Sequence, residues 1–141
     1  MARYRISKEH VWGGVIPDRP GALAEKLQAL AAGGLNLELI IGRRDWEGQG
    51  IMFISPLRTL EEIEIAERAG LAPKDNMVTL RIEGPNEQGL AAKIAGALAA
   101  AGINVHGYSA AAIGERCVTN VAFDNDSDTA RAREVLLKLL G

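Results

Sequence analysis

The chain carries one pattern twice, and that limits the folds open to it more than any other feature. Asp18-Arg19-Pro20-Gly21 opens a segment that closes on Gly34-Leu35-Asn36-Leu37, and sixty-eight residues later Asn86-Glu87-Gln88-Gly89 opens one that closes on Gly102-Ile103-Asn104-Val105. The two segments align without a gap, and Gly21/Gly89, Ala24/Ala92, Leu30/Leu98, Gly34/Gly102 and Asn36/Asn104 are identical pairs. Alanine matches weigh little in a chain rich in alanine, so the glycine to Gly-X-Asn spacing carries the argument. A repeat of this length means one supersecondary unit used twice. A unit this small buries only roughly 60% of its unfolded surface when alone, so the halves are expected to pack on each other or on a second chain.

Hydrophobic periodicity gives the order of elements within each copy. Residues 10–16 read as a strand, and Ala22 to Ala32 as a helix with Leu23, Leu27 and Leu30 on one face. Pro20 suits the first turn of that helix, and Gly33-Gly34 suits its left-handed stop. Residues 35–41 and 51–54 read as strands joined by the glycine-containing turn 45–50. Thr59 with Glu62 is a capping box for a helix to about Ala69. In the second copy Met77 to Glu83 alternates as a strand, and Leu90, Ile94 and Leu98 line a helix. Val105 to Ile113 and Val118 to Phe123 flank a tight turn at Gly114-Glu115. Ser127 or Asp128 is expected to cap a last helix whose apolar face is Ala132, Val135, Leu136, Leu139 and Leu140.

Each copy is therefore strand, helix, strand, strand, helix. Right-handed crossovers put the first strand beside the third, with both helices on one sheet face. The expected fold is α+β: two ferredoxin-like units, 1–73 and 74–141, each an antiparallel sheet with helices on one face. Such a unit calls for a further strand. The first copy has only residues 71–75 after its last helix, and under the sixty-eight-residue shift residues 2–8 fall on the slot of 70–76, so Arg3 to Lys8 is expected to supply an extra strand or to lengthen the first.

Composition narrows the function classes. The 141 residues are 48% hydrophobic and 24% charged, with net charge −2 and no basic patch of the kind a nucleic-acid binder carries. No apolar run approaches the ~20 residues of a membrane span, and the N-terminus lacks the apolar region of a signal peptide. The single Cys117 excludes an intrachain disulfide framework. A cytoplasmic, soluble protein without nucleic-acid or membrane partners is expected. Two histidines and one cysteine suggest no catalytic arrangement, and His10, His106 and Cys117 have no metal-ligand spacing. Gly48-Gln49-Gly50 lacks the Lys-Ser/Thr of a phosphate loop, and the run 124–128 lacks the glycine and glutamate of a calcium loop. No enzyme activity, cofactor or metal is expected. Trp12 and Trp46 are expected as packing residues.

Strand, Asp18-Arg19-Pro20-Gly21-Ala22-Leu23, helix, Gly34-Leu35-Asn36-Leu37, hairpin and helix together resemble the ACT domain, a small ferredoxin-like module that binds amino acids and regulates metabolic enzymes. The match is close in the first copy and looser in the second, where Asn86-Glu87-Gln88-Gly89 takes the place of the turn. It resembles in particular the free-standing tandem-ACT proteins of bacteria. The resemblance implies amino-acid sites between the turn and the Gly-X-Asn strand start, at a seam between units. The implied positions are Ile16, Asp18, Gly21, Ala22, Leu23, Asn36 and Leu37, and in the second copy Asn86, Gly89, Leu90, Ala91, Asn104 and Val105. It also implies a non-catalytic regulator that forms a homodimer and acts on a metabolic enzyme. The alternative is a regulatory or interaction subunit of an amino-acid biosynthetic enzyme, similar to the small subunit of acetolactate synthase.

The residues themselves fit a binding role. A helix start offers backbone N–H groups to a carboxylate, glycine allows close approach, and an amide side chain both donates and accepts. Simpler roles stay open beside these: Gly21 and Gly89 for helix–sheet packing, Asn36 and Asn104 for backbone satisfaction, Asp18 as a helix cap. Asp18 offers a charge to a ligand ammonium while Asn86 does not, so the first site is expected to bind more tightly.

Overall fold

The computed structural model describes residues 3–141, apart from the side chains of Asp75 and Asn76. The elements are β1 (Arg5–Ile16), α1 (Ala22–Ala32), β2 (Leu39–Arg44), β3 (Gly50–Ser55), α2 (Leu60–Arg68), β4 (Ala72–Pro85), α3 (Leu90–Ala100), β5 (Gly107–Ile113), β6 (Arg116–Phe123) and α4 (Asp126–Leu140). They form two compact units: His10–Lys74, and Asp75–Gly141 joined by the N-terminal residues as far as Glu9. The expected cut between residues 73 and 74 kept the whole N-terminus in the first unit. The difference has a physical reason. Tyr4 and Ile6 alternate onto the inner face and are buried among Leu80, Ile82, Ile94, Leu98, Phe123 and Leu136 in the C-terminal unit.

Each unit is a four-stranded sheet built the same way. In the N-terminal unit β1 pairs antiparallel with β3, Trp12 opposite Ile54, and β2 pairs with the other edge of β3, Leu39 opposite Ser55. In the C-terminal unit β4 pairs with β6, Leu80 opposite Val121, and β5 pairs with β6, Tyr108 opposite Val121. The first strand thus lies beside the third in both. The fourth strand comes from the neighbouring long strand, since β1 and β4 are adjacent in the sheet order. The start of β4 is the edge of the N-terminal unit, where a Cβ on Gly14 would lie 3.1 Å from the Gly70 carbonyl oxygen. The start of β1 is the edge of the C-terminal unit, where a Cβ on Gly84 would lie 2.8 Å from the Arg3 carbonyl oxygen. Arg3–Lys8 therefore both adds a strand to one unit and lengthens the first strand of the other.

Trp12 and Leu80, repeat partners in the sequence, are both core residues, and so are Leu30 and Leu98. Local signals set most boundaries. The Thr59 side chain accepts from the Glu62 N–H while the Glu62 carboxylate accepts from the Thr59 N–H, closing the expected capping box. Strands β2 and β5 begin later than the expected residues 35 and 105. The reason is that the helix stop extends further: Leu35 N–H donates to the Leu30 carbonyl and Ile103 N–H to that of Leu98, a six-to-one closure around Gly34 and Gly102. Asn125, rather than Ser127 or Asp128, caps α4 by accepting from the Asp128 N–H at 2.8 Å. Of the expected α4 face, Ala132 and Leu136 are buried while Leu139 is 37% exposed.

Trp46 corrects an expectation. It is 92% exposed rather than packed. Turn chemistry decides its place: the Asp45 carboxylate accepts from the N–H groups of Glu47 and Gln49, and this fixes a hairpin tip with Trp46 on its outside.

Candidate functional site

The start of α3 carries a cavity of about 310 Å³, lined by Asn86, Glu87, Gly89, Leu90, Ala91 and Ala92 from the turn and helix and by Ala110, Ala111, Ala112, Cys117 and Thr119 from β5 and β6. Gly89, at the N-cap position, has φ +80°, which a side chain would disfavour, and no atom lies within 4 Å of where its Cβ would be. No side chain caps α3 and no acidic residue stands in its first turn, whereas Thr59 caps α2 and Asn125 caps α4. The helix start thus offers its partial positive charge to the cavity, whose walls are mostly methyl groups. Asn86, Gly89, Leu90 and Ala91 of the expected second set meet here. Glu87, Ala92, Ala110–Ala112, Cys117 and Thr119 stand outside the expected set; the last five come from β5 and β6, which reach the helix only through tertiary packing. Glu87 and Ala92 had a signal, their place inside the repeated segment.

In the N-terminal unit Gly21 has φ +86° at the N-cap of α1, with Ala22 buried behind it and Leu23 39% exposed. Ile16 is buried where β1 ends opposite Gly50. Asp18 is committed elsewhere: its carboxylate accepts from Arg44 Nε at 2.7 Å and from Nη2 at 3.5 Å. Arg19 pairs with Glu25 in the same turn. The register of Arg44 opposite Gly50 is what carries it to the turn.

Within each unit the turn and the Gly-X-Asn segment lie apart. Asn104 Nδ2 donates to the Asp124 carboxylate at 3.5 Å, and His106 Nδ1 lies 3.0 Å from its other oxygen. Asp124 follows the end of β6, while Cys117 at its beginning lines the cavity; at ~3.3 Å per residue these points are about 20 Å apart. The eleven-residue α3 spans roughly 16 Å between the same two ends. Val105 packs against the core beside this clasp. In the N-terminal unit exposed Asn36 and half-buried Leu37 lie at the β3 end, where Glu38 N–H donates to the Ser55 carbonyl, and away from the Asp18–Arg44 pair. The helix between turn and Asn carries the chain from one end of the sheet to the other, so one unit does not join both halves of the expected site.

The hydrogen bond from His106, then that from Asn104, holds the Asp124 carboxyl below its usual value. A carboxylate with a lowered folded-state pKa stabilises the fold above its unfolded value of about 3.9 and loses that contribution as pH falls through the folded value. NMR titration should find Asp124 below that reference, and His106→Ala should move it back up. An unchanged titration in the variant would show that the clasp does not set it.

Among the described residues no group of three or more His, Cys, Asp or Glu side chains could hold a metal ion, and no helix is long and apolar enough to cross a membrane. No protein-family model matches the chain, and no curated protein matches it in sequence. Solved structures do match. A protein of Bacteroides thetaiotaomicron is 19% identical over 97% of this chain and 90% of its own, with TM-score 0.75. The regulatory subunit of aspartate kinase from Thermus thermophilus is 22% identical over 95% of each chain, with TM-score 0.65. That from Thermus flavus is 21% identical over 100% of each, with TM-score 0.62. The fold is thus α+β, two ferredoxin-like units, an arrangement shared with these solved structures.

Proposed function

We propose that this chain is a non-catalytic regulatory protein of the tandem-ACT kind that binds a small amino acid. The observation that carries the reading is the cavity at the uncapped start of α3, about 310 Å³ with an apolar wall. A carboxylate finds N–H groups and a positive helix end there, and the alanines leave room for a short side chain. Asn86, Gly89, Leu90 and Ala91 serve the principal site. Ile16, Asp18, Gly21, Ala22 and Leu23 form a second, weaker one, since Glu25 stands in the first turn of α1 and opposes a ligand carboxylate there, whereas α3 has no acidic residue in that turn. This reverses the order of affinities that the turn sequences suggest. Asn36, Leu37, Asn104 and Val105 reach such a ligand from another copy, which is consistent with a homodimer. A soluble, cytoplasmic setting suits the composition.

Regulation needs a recipient. The two Thermus proteins are regulatory subunits of aspartate kinase, which supports an amino-acid biosynthetic enzyme as the partner class. A mainly interacting subunit, like the small subunit of acetolactate synthase, is the second reading, and the 92% exposure of Trp46 favours it, because exposed tryptophans are frequent interface anchors. Thermal-shift measurements against the twenty amino acids test the first reading. A ligand at one hundred times its Kd adds about 2.7 kcal/mol to stability. No shift with any amino acid would leave the interaction reading.

A further inference from the structure

Among the described residues that line the α3 cavity, Glu87 is the one with a charged side chain. Its carboxylate is paired with the guanidinium of Arg3, which the chain brings from eighty-four residues away by laying the start of β1 along β4. The seat of Arg3 is fixed from beneath. Tyr4 is buried in the core, its hydroxyl donates to the Pro85 carbonyl at 2.8 Å, and its ring lies 5.8 Å below the Arg3 guanidinium. Gly84 leaves the space that Tyr4 fills. The side chains of the pair are open to solvent, at 63% for Arg3 and 31% for Glu87. An exposed pair of this kind is weakly held and exchanges readily for other charged partners.

We propose that Arg3 and Glu87 form a zwitterion clamp on the α3 cavity. The ammonium of an α-amino acid lies on Glu87, its carboxylate between Arg3 and the N–H groups at the start of α3, and its short side chain points toward Ala92, Ala110 and Ala112. The clamp rests on the amino-acid reading of this cavity and adds the two groups that recognise the backbone of the ligand. Guanidinium, ligand carboxylate, ligand ammonium and Glu87 carboxylate then alternate in sign around a ring. The guanidinium fork matches a carboxylate with two parallel hydrogen bonds, while the methyl-lined wall offers no competing charge. A consequence follows for the chain. A ligand held by Arg3 also holds residues 3–9 on the C-terminal unit, and the same strand continues as His10–Ile16 of the other unit.

Calorimetric titration of the full chain with L-alanine, L-valine and L-threonine tests the clamp, with L-valinamide and N-acetyl-L-valine as probes lacking one charge. Glu87→Gln and Arg3→Gln should each weaken binding about ten-fold or more, as expected when a charge-assisted contact is lost. Arg3→Lys should retain part of the affinity, and the two altered probes should bind wild type at least ten-fold more weakly than L-valine. Hydrogen exchange of residues 5–9 should slow on binding. Wild-type binding that survives unchanged in Glu87→Gln, with both altered probes binding as well as L-valine, would overturn the clamp and leave the amino-acid reading at another site. No binding of any amino acid by wild type would overturn both.

Discussion

Leu98→Ala should destabilise the C-terminal unit by about 2.7–5 kcal/mol, and Leu30→Ala should cost the N-terminal unit a similar amount. The two leucines hold the same position in the repeat. Leu98 is fully buried on the inner face of α3 among Leu80, Ile82, Ile94 and Phe123, and Leu30 is 1% exposed on α1 among Trp12, Met52 and Ile54. Truncation removes the transfer free energy of the lost methyl and methylene groups and leaves a cavity that a dense core closes only in part. Leu23, 39% exposed on α1, is the internal control and should cost far less. Urea denaturation of the three variants decides: a loss below about 1 kcal/mol for Leu98→Ala would show that the inner face of α3 is not where the repeat puts it.

Gly84→Val should free the N-terminal strand from the C-terminal unit. A Cβ at this position would lie 2.3 Å from Tyr4 Cδ1, 2.7 Å from Tyr4 Cε1 and 2.8 Å from the Arg3 carbonyl oxygen. The ring cannot move outward without leaving the core, and the carbonyl belongs to the strand itself. Overpacking of this kind costs about 1–3 kcal/mol, and losing the burial of Tyr4 and Ile6 costs roughly 1.5–3 kcal/mol for each. Hydrogen exchange should show residues 5–9 losing protection while α3 and α4 keep theirs. The control is Gly96→Ala on the exposed side of α3, where no atom lies within 4 Å of the new methyl and helix propensity favours alanine by roughly 0.5–1 kcal/mol. Unchanged protection of residues 5–9 in Gly84→Val would show that this strand is not seated on β4.

The repeat was legible because its signals are local. Gly34 and Gly102 stop their helices through bonds to carbonyls one turn back, and Thr59 finds Glu62 three residues on. Alternation in 77–83, the spacing of Leu27 and Leu30 on α1 and that of Leu90, Ile94 and Leu98 on α3 set the core face for the same reason: side-chain direction follows from backbone period alone. The candidate site was half legible. Asn86, Gly89, Leu90 and Ala91 lie in one turn and one helix start, so sequence proximity becomes spatial proximity. Thr119 and Ala112 reach the same cavity only because β6 and β5 pair in one register among several that the alanine run Ala110-Ala111-Ala112 permits. The pairing of Asp18 with Arg44 was not legible, because the two stand twenty-six residues apart and meet across the sheet. The distance of Asn104 from the turn was not legible either, because the length of α3 sets it.

By itself, the sequence determined the order of elements, the two helix-starting turns with their positive-φ glycines, the capping of α2, and the inward faces that make two cores. These follow from interactions within a few residues, where periodicity and backbone sterics act without knowledge of the rest of the chain. Tertiary structure alone decided that residues 3–9 complete the C-terminal sheet, that Arg3 meets Glu87, that Asp18 is held by Arg44, and that β5 and β6 wall the α3 cavity. Each of these joins groups far apart in the chain. Which of several chemically similar partners they find is settled by strand register and by the burial of Tyr4 and Ile6, terms that exist only once the sheets have closed.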